Sequence, residues 1–375
     1  MTASLRFGRI AGIPVGASWS ALLIAGLIAW SLAGSLLPAQ VPGLAPAAYW
    51  LAGLAGAGLF LGSLLAHEVG HALVARRAGL RVRGITLWLL GGVAQLEDEP
   101  ATPGDELRVA LVGPAVSLAL AAAFGLAALA MSAAALPAAA VTVAAWLAVV
   151  NTILAVFNLL PAAPLDGGRV LRGLLWRHHG SRLRAAVTAT RAGVWVGAGL
   201  VAYGLLGAFT GWGIGTLWTA LVGWFLMSAA RQERDWAVAR SGLEGLRADQ
   251  VMTPAPPAAP AWFTVDAFLR NYVEPWQAAA LPLRSFDGHP AGVVTAAALA
   301  AVPPDRRHIV RAGDVAIGVD ALVLLHPDQP VTGLPARLAA GRTVAAVVAG
   351  GQLLGLITPA DLARASAGGR LRAGV

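Results

Sequence analysis

At 375 residues with 57% apolar and only 12% charged residues, the chain is far from an average soluble domain, which carries roughly 25% charged residues. A polytopic membrane protein is the natural class. The net charge of +8 is carried by Arg alone and reads as Arg-rich cytoplasmic loops before it reads as nucleic-acid binding, and the absence of Cys excludes disulfides and thiolate metal sites, leaving His, Asp and Glu as metal ligands.

Arg6 and Arg9 precede an apolar run over 16–38, too long for a signal-peptide core, which predicts a first membrane helix with its N-terminus inside. An uncharged connection with Pro42 and Pro46 leads into a second span over 47–75. Arg76, Arg77, Arg81 and Arg83 follow it and place that end in the cytoplasm. Residues 82–95 do not continue as a helix: Ile85, Leu87 and Leu89 alternate with other side chains and Gly91-Gly92 interrupts the run, so a strand or hairpin at the membrane surface is expected. The acidic residues Glu97, Asp98, Glu99, Asp105 and Glu106 mark a return to water. Third and fourth spans are predicted over 107–131 and 141–160, the fourth descending to an Arg-rich cytoplasmic loop over 166–191. Fifth and sixth spans follow over 195–209 and 213–227. Six spans then leave both termini inside; a re-entrant hairpin formed by one of the last two is the alternative.

Past about residue 246 the composition changes. Pro254, Pro256, Pro257 and Pro260 cluster, and short β-rich segments replace the apolar runs. Residues 289–295 and 352–358 share a strand, Gly, strand, Thr pattern followed by an Ala/Leu-rich helix, an internal repeat in a soluble α/β domain.

The chemistry concentrates in His67-Glu68-Val69-Gly70-His71, inside the second span. Two His at i and i+4 share one helical face and can share a metal, with the intervening Glu placed to act on a metal-bound water. The plain alternative is a pair of helix-packing His with a buried Glu. It is disfavoured because ionisable groups in membrane helices are costly and mostly functional. A catalytic zinc wants a third protein ligand, and Asp166, in Asn158-Leu159-Leu160-Pro161-Ala162-Ala163-Pro164-Leu165-Asp166-Gly167-Gly168-Arg169, is the candidate. Both His71 and Asp166 lie at cytoplasmic ends of outside-to-inside spans, hence at similar depth, and Pro161 and Pro164 break the fourth helix just before Asp166. Zinc on His67, His71 and Asp166 lowers the pKa of its water from 15.7 toward about 7, with Glu68 as base and Asn158 as donor to the oxyanion. For Asn158 an ordinary hydrogen bond within or between helices is an equal alternative. Gly91-Gly92 permits close backbone approach, so a substrate segment can be unwound by addition to the 82–95 segment as an extra strand; a plain interfacial hairpin is the alternative.

With HEVGH on the second span and NLLPAAPLDGGR after the fourth, the sequence resembles the site-2 protease family of intramembrane zinc metalloproteases, peptidase family M50. Residues 9–15, Gly91-Gly92-Val93 and Gly113-Pro114 also look like family features, so the likeness covers about 6–230. The resemblance implies zinc at His67, His71 and Asp166, Glu68 as catalytic base, and regulated intramembrane proteolysis of a membrane-anchored protein, often an anti-sigma factor or other transcription regulator. It further implies residence in the cell (inner) membrane, and nucleic acid is not an expected partner. Residues 251–375 resemble a pair of cystathionine-β-synthase (CBS) domains, about 251–305 and 306–366, joined through a 241–250 linker to a 1–240 protease domain. The CBS nucleotide pattern, Gly-x-x-Thr-x-x-Asp, is matched by Gly355, Thr358 and Asp361, whereas the first repeat has Gly292 and Thr295 but Ala298 in place of the Asp. The likeness implies ATP or AMP at the second repeat and homodimerisation through the pair. A purely structural dimerisation module is the alternative. A different class of function, a CBS-regulated metal or ion transporter, predicts polar residues along several helices rather than one convergent site.

Overall fold

The computed structural model describes residues 4–88, 91–96, 99–211, 213, 215–276, 278–339 and 343–373; Glu97 and Asp98 of the acidic cluster lie outside the described residues. The chain divides into two compact units, Met1–Arg234 and Asp235–Val375.

The first unit opens with strands β1 (Leu5–Ile10) and β2 (Ile13–Ala17), joined by Ala11-Gly12 with both φ angles positive, as a tight two-residue hairpin requires. Helix α1 covers Trp19–Gln40, and α2 (Pro46–Arg77) follows with Pro46 in its first turn. At 32 residues α2 is about 48 Å long, well beyond a hydrocarbon core of about 30 Å. Gly53 and Gly56 lie where α2 meets α1; a Cβ on Gly53 would stand 2.7 Å from the Ala29 carbonyl oxygen, the close approach that small residues allow between membrane helices.

Strands β3 (Val82–Trp88) and β4 (Gly91–Leu96) form the hairpin expected over 82–95. It belongs to a larger sheet than the sequence indicates, of order β1-β2-β3-β4, because β2 pairs in parallel with β3 through Val15–Ile85, Gly16–Thr86 and Ala17–Leu87. The buried side chains Ile13, Val15 and Ile85 pack on Ala72, which docks the sheet on the same stretch of α2 that carries the histidines.

Helix α3 (Pro103–Ala133) is capped by Thr102, whose hydroxyl accepts from the Asp105 backbone N–H at 3.1 Å. Its buried stripe runs through Glu106, Val109, Gly113 and Ser117. Reading Glu106 as a return to water is corrected here: it is 0% exposed, held by arginines that follow it by more than 60 residues. Helix α4 (Ala138–Asn158) ends just before the proline-bearing segment, and the region read as an Arg-rich loop is largely helical. Asp166 opens α5 (Asp166–His179), which stops at Gly180 with φ +69°, and Ser181 caps α6 (Arg182–Phe209). Helix α7 (Thr216–Ser241) follows.

Among the described residues, five helices are long and apolar enough to cross a membrane: α1, α2, α3, α4 and α6. The expected sixth span falls in α7, whose apolar part gives way at Arg231, Gln232, Glu233 and Arg234, and α7 is not one of these five.

In the second unit, strands β5 (Thr253–Pro254), β9 (Val323–Leu325), β10 (Ala345–Ala349) and β11 (Gln352–Ile357) make one sheet of order β5-β11-β10-β9, while β6 (Ala259–Pro260), β7 (Ala280–Arg284) and β8 (Pro290–Thr295) make another. The repeat seen in the sequence is therefore structural: β8 and β11 occupy matching places, each antiparallel to the strand before it and each followed by a helix, Ala296–Ala300 and Pro359–Ala373. Leu243, Ala248 and Val251 are buried with β9, β10 and β11, so the chain already packs into this unit from Leu243 onward.

Candidate metal centre

His67 and His71 point from one face of α2, and Asp166 comes to them from the first turn of α5. His67 Nε2 and His71 Nε2 are 3.1 Å apart, and each stands 3.2 Å from Asp166 Oδ2. Two imidazole nitrogens and a carboxylate oxygen form the usual donor set of a catalytic zinc site. Bonds of 2.0–2.1 Å in a tetrahedron put ligand atoms about 3.3 Å apart, close to these separations. The arrangement fits a metal, and among the described residues it is the group of three His, Cys, Asp or Glu side chains whose ligating atoms lie within 4.8 Å of one another.

The outer ring nitrogens are held by α3. His71 Nδ1 lies 2.6 Å from the Val109 carbonyl, which can only accept, so Nδ1 carries the proton and Nε2 turns its lone pair to the site. His67 Nδ1 lies 2.9 Å from the Ser117 hydroxyl. Between these two contacts is Gly113, where a Cβ would stand 2.6 Å from His67 Nε2 and would also overlap the His71 ring. Only hydrogen fits at that point of α3. Ser117 and Val109 are site residues that sequence reading missed; each lies one turn of α3 from Gly113.

Glu68 is 8% exposed and faces the sheet rather than the lipid side of α2. A Cβ on Gly92 of β4 would fall 2.8 Å from Glu68 Cδ and 3.0 Å from its Oε1. Gly92 of the hairpin and the carboxylate of the HExxH helix are thus in contact, and β4 is an edge strand of its sheet. Asn158 is half-buried and its Nδ2 donates to the Leu154 carbonyl at 2.9 Å, one turn back along α4; the carboxamide keeps one further N–H. The segment between α4 and α5 is packed hard against the start of α5: Gly167 and Gly168 lie against the backbones of Leu159, Leu160, Ala162 and Ala163, leaving no room for side chains. Deeper in α2, one turn before His67, Ser63 Oγ accepts from Asn151 Nδ2 at 3.4 Å, and both are buried.

In the second unit, Thr358 and Asp361 line a cavity of about 640 Å³ together with Thr253, Leu356 and Arg364. Gly355 lies outside the lining; a Cβ there would meet Met252 and the Thr253 carbonyl. Asp361 Oδ2 accepts from the Thr358 N–H at 2.7 Å and hydroxyl at 2.6 Å, Oδ1 accepts from Thr253 Oγ1 at 2.8 Å, and Arg364 pairs with it. Burial pushes this carboxyl up, but the hydrogen bonds outweigh burial and hold it below the ordinary value of 3.8.

Apolar spans, a buried His-His-Asp cluster and a carboxylate beside it define a membrane-embedded metalloprotease. The profile described as "Peptidase family M50" matches residues 55–134 and 125–200. Rip3 of Mycobacterium tuberculosis, which bears a zinc metalloprotease name, is 43% identical over 366 residues, 97% of this chain and 93% of the relative. The similarly named sll0528 of Synechocystis is 36% identical over 280 residues, 74% and 73% of the two chains. The solved Site-2 Protease from Methanocaldococcus jannaschii is 25% identical, with a TM-score of 0.42, over 61% of this chain and 94% of that one. The chain belongs to peptidase family M50, and it is an intramembrane zinc metalloprotease. The transporter alternative falls with that membership.

Proposed function

We propose that His67, His71 and Asp166 hold the zinc, that Glu68 is the catalytic base, and that the edge of β4 presents an unwound stretch of a membrane-anchored regulatory protein to them. The observation that carries this reading is the contact of Gly92 with Glu68 beside the three converging donor atoms. A bound zinc supplies Lewis-acid polarisation of the scissile carbonyl and of the attacking water. Glu68 takes a proton from that water as its oxygen bonds to the carbonyl carbon, then passes the proton to the amide nitrogen as the C–N bond breaks. The second N–H of Asn158 is the proposed donor to the oxyanion. The buried face of α3 orients both rings and, through the Val109 carbonyl, sets the tautomer of His71, and Gly92 lets a substrate backbone lie within reach of Glu68.

A helix shields its own amides, so hydrolysis requires local unwinding, and an edge strand offers main-chain partners to a segment that unwinds. Reconstituted with a single-span substrate in vesicles, the protein is expected to cut within or beside the apolar segment. Proline at substrate positions that donate to β4 should slow cleavage about tenfold, because proline cannot supply the ladder N–H. Equal slowing by proline at alternate positions would remove the strand-addition role.

The Arg distribution supports six spans with both termini cytoplasmic, α7 contributing the sixth, and residence in the cell membrane. An anti-sigma factor or similar regulator is the proposed substrate class. For the second unit, the repeat and the Thr358–Asp361 arrangement support a CBS pair, with ATP or AMP in the cavity at the second repeat and dimerisation through the pair. Calorimetric titration is expected to show at least tenfold weaker nucleotide binding in Asp361→Ala, about 1.4 kcal/mol. Unaltered binding by a folded variant would place the ligand elsewhere.

A further inference from the structure

Four charged side chains, one of them fully buried and three partly exposed, form a network beside the metal centre that the chemistry above does not use. Glu106, near the start of α3, is 0% exposed; its Oε1 accepts from Arg169 Nε at 3.2 Å and from Arg172 Nη2 at 2.5 Å. Arg172 reaches onward to Glu233 of α7, with Nη1 3.1 Å from Oε1. Two positive and two negative groups sum to zero charge. Taking the Glu106 carboxylate wholly out of water is costly unless it is paired and hydrogen-bonded, and here the two arginines supply both.

Their placement says what they do. On α5, Arg169 and Gly173 follow Asp166 by three and seven residues, so they share its face of the helix. A Cβ on Gly173 would stand 2.9 Å from Leu107 Cγ and 3.5 Å from Glu106 Cγ, so α5 lies directly on α3 at this turn. On α3, Glu106 precedes Val109 by three residues, and the Val109 carbonyl is the group that fixes His71. One turn of α3 therefore holds His71 through Val109 and α5 through Glu106. The tight packing at Gly167 and Gly168 makes the start of α5 rigid, so a shift of the helix is passed to the Asp166 carboxylate.

We propose that Glu106 is a positioning residue for the metal centre: by clamping Arg169 and Arg172 it sets α5 along α3 and so fixes Asp166 Oδ2 relative to the two histidines. This rests on the reading of Asp166 as a ligand. The test uses the full-length protein in detergent, with zinc affinity measured by competition against a chromophoric chelator and the fold followed by melting of the metal-free protein. Glu106→Gln is expected to weaken zinc about 10–100-fold, as supporting residues around metal ligands typically do. Cleavage should fall by the same factor at limiting zinc and recover at saturating zinc, whereas general structural damage would not be reversed by metal. Glu106→Asp, which keeps the charge, should lie between wild type and Glu106→Gln. Arg169→Gln removes the contact nearest Asp166 and carries the same expectation if Glu106→Gln does not fold. Wild-type zinc affinity in folded Glu106→Gln or Arg169→Gln, or lost cleavage that saturating zinc does not restore, overturns the proposal. Asp166→Ala separates the two ideas: unchanged zinc affinity there sinks the ligand reading itself, while its loss beside intact affinity in Glu106→Gln sinks only the positioning role.

Discussion

Replacing Glu68 by Gln is expected to lower peptide cleavage by about 10²–10⁴-fold, the usual contribution of a positioned acid–base group, while the protein still carries zinc. Gln has nearly the same shape as Glu, so it keeps the packing against Gly92 and leaves the His67 and His71 contacts with Ser117 and Val109 in place. What it loses is the ability to take a proton from water and return it to the leaving amine. Metal analysis should therefore show wild-type zinc content in a protein that no longer turns over. A single-span partner should accumulate uncut with this variant, recoverable by crosslinking and mass spectrometry, and should be cut when wild type is added. Equal processing by variant and wild type would remove Glu68 from the mechanism.

Gly113→Ala is expected to be as damaging by a different route. The added methyl would stand 2.6 Å from His67 Nε2 and would overlap His71, so α3 has to withdraw from α2. That withdrawal breaks two orienting contacts together, from Val109 to His71 and from Ser117 to His67. Supporting contacts of this kind are each worth about 10–100-fold in metal affinity, so losing both should lower zinc affinity by about 10²–10⁴-fold and carry cleavage down with it. The comparison with Glu68→Gln is diagnostic: one variant keeps zinc and loses turnover, the other loses both. Full zinc occupancy in Gly113→Ala, measured at limiting metal, would show that the close contact does not govern the site.

Much of the metal centre was legible in the sequence because its parts obey local rules. Two His four apart share a helix face wherever they occur, and prolines at 161 and 164 end α4 before Asp166. The contributions of α3 were not legible. Val109 acts through a backbone carbonyl, which has no sequence signature, and an acid at position 106 looks like an ordinary helix-start residue until Arg169 and Arg172 are brought to it in space. Helix α5 was hidden by its arginines, whose number matches a cytoplasmic loop, although Gly180 and Ser181 carry stop and start signals for α5 and α6. The N-terminal hairpin went unread because β1 and β2 are short and abut an apolar run. Their partner β3 is some 70 residues downstream, and only that parallel pairing makes the four-stranded sheet.

Under the proposed strand addition, the edge of β4 has a consequence for which proteins the enzyme accepts. A strand edge offers main-chain donors and acceptors, which are common to every polypeptide, and Gly91 and Gly92 bring no side chains of their own with which to read a residue sequence. Discrimination at such an edge passes to the free energy of unravelling. A stable apolar helix keeps its amides to itself and goes uncut, whereas one weakened by glycine, proline or a truncated end can be drawn alongside Glu68. On that proposal cleavage would measure helix fragility, and any event that shortens or destabilises a membrane anchor would act as the trigger.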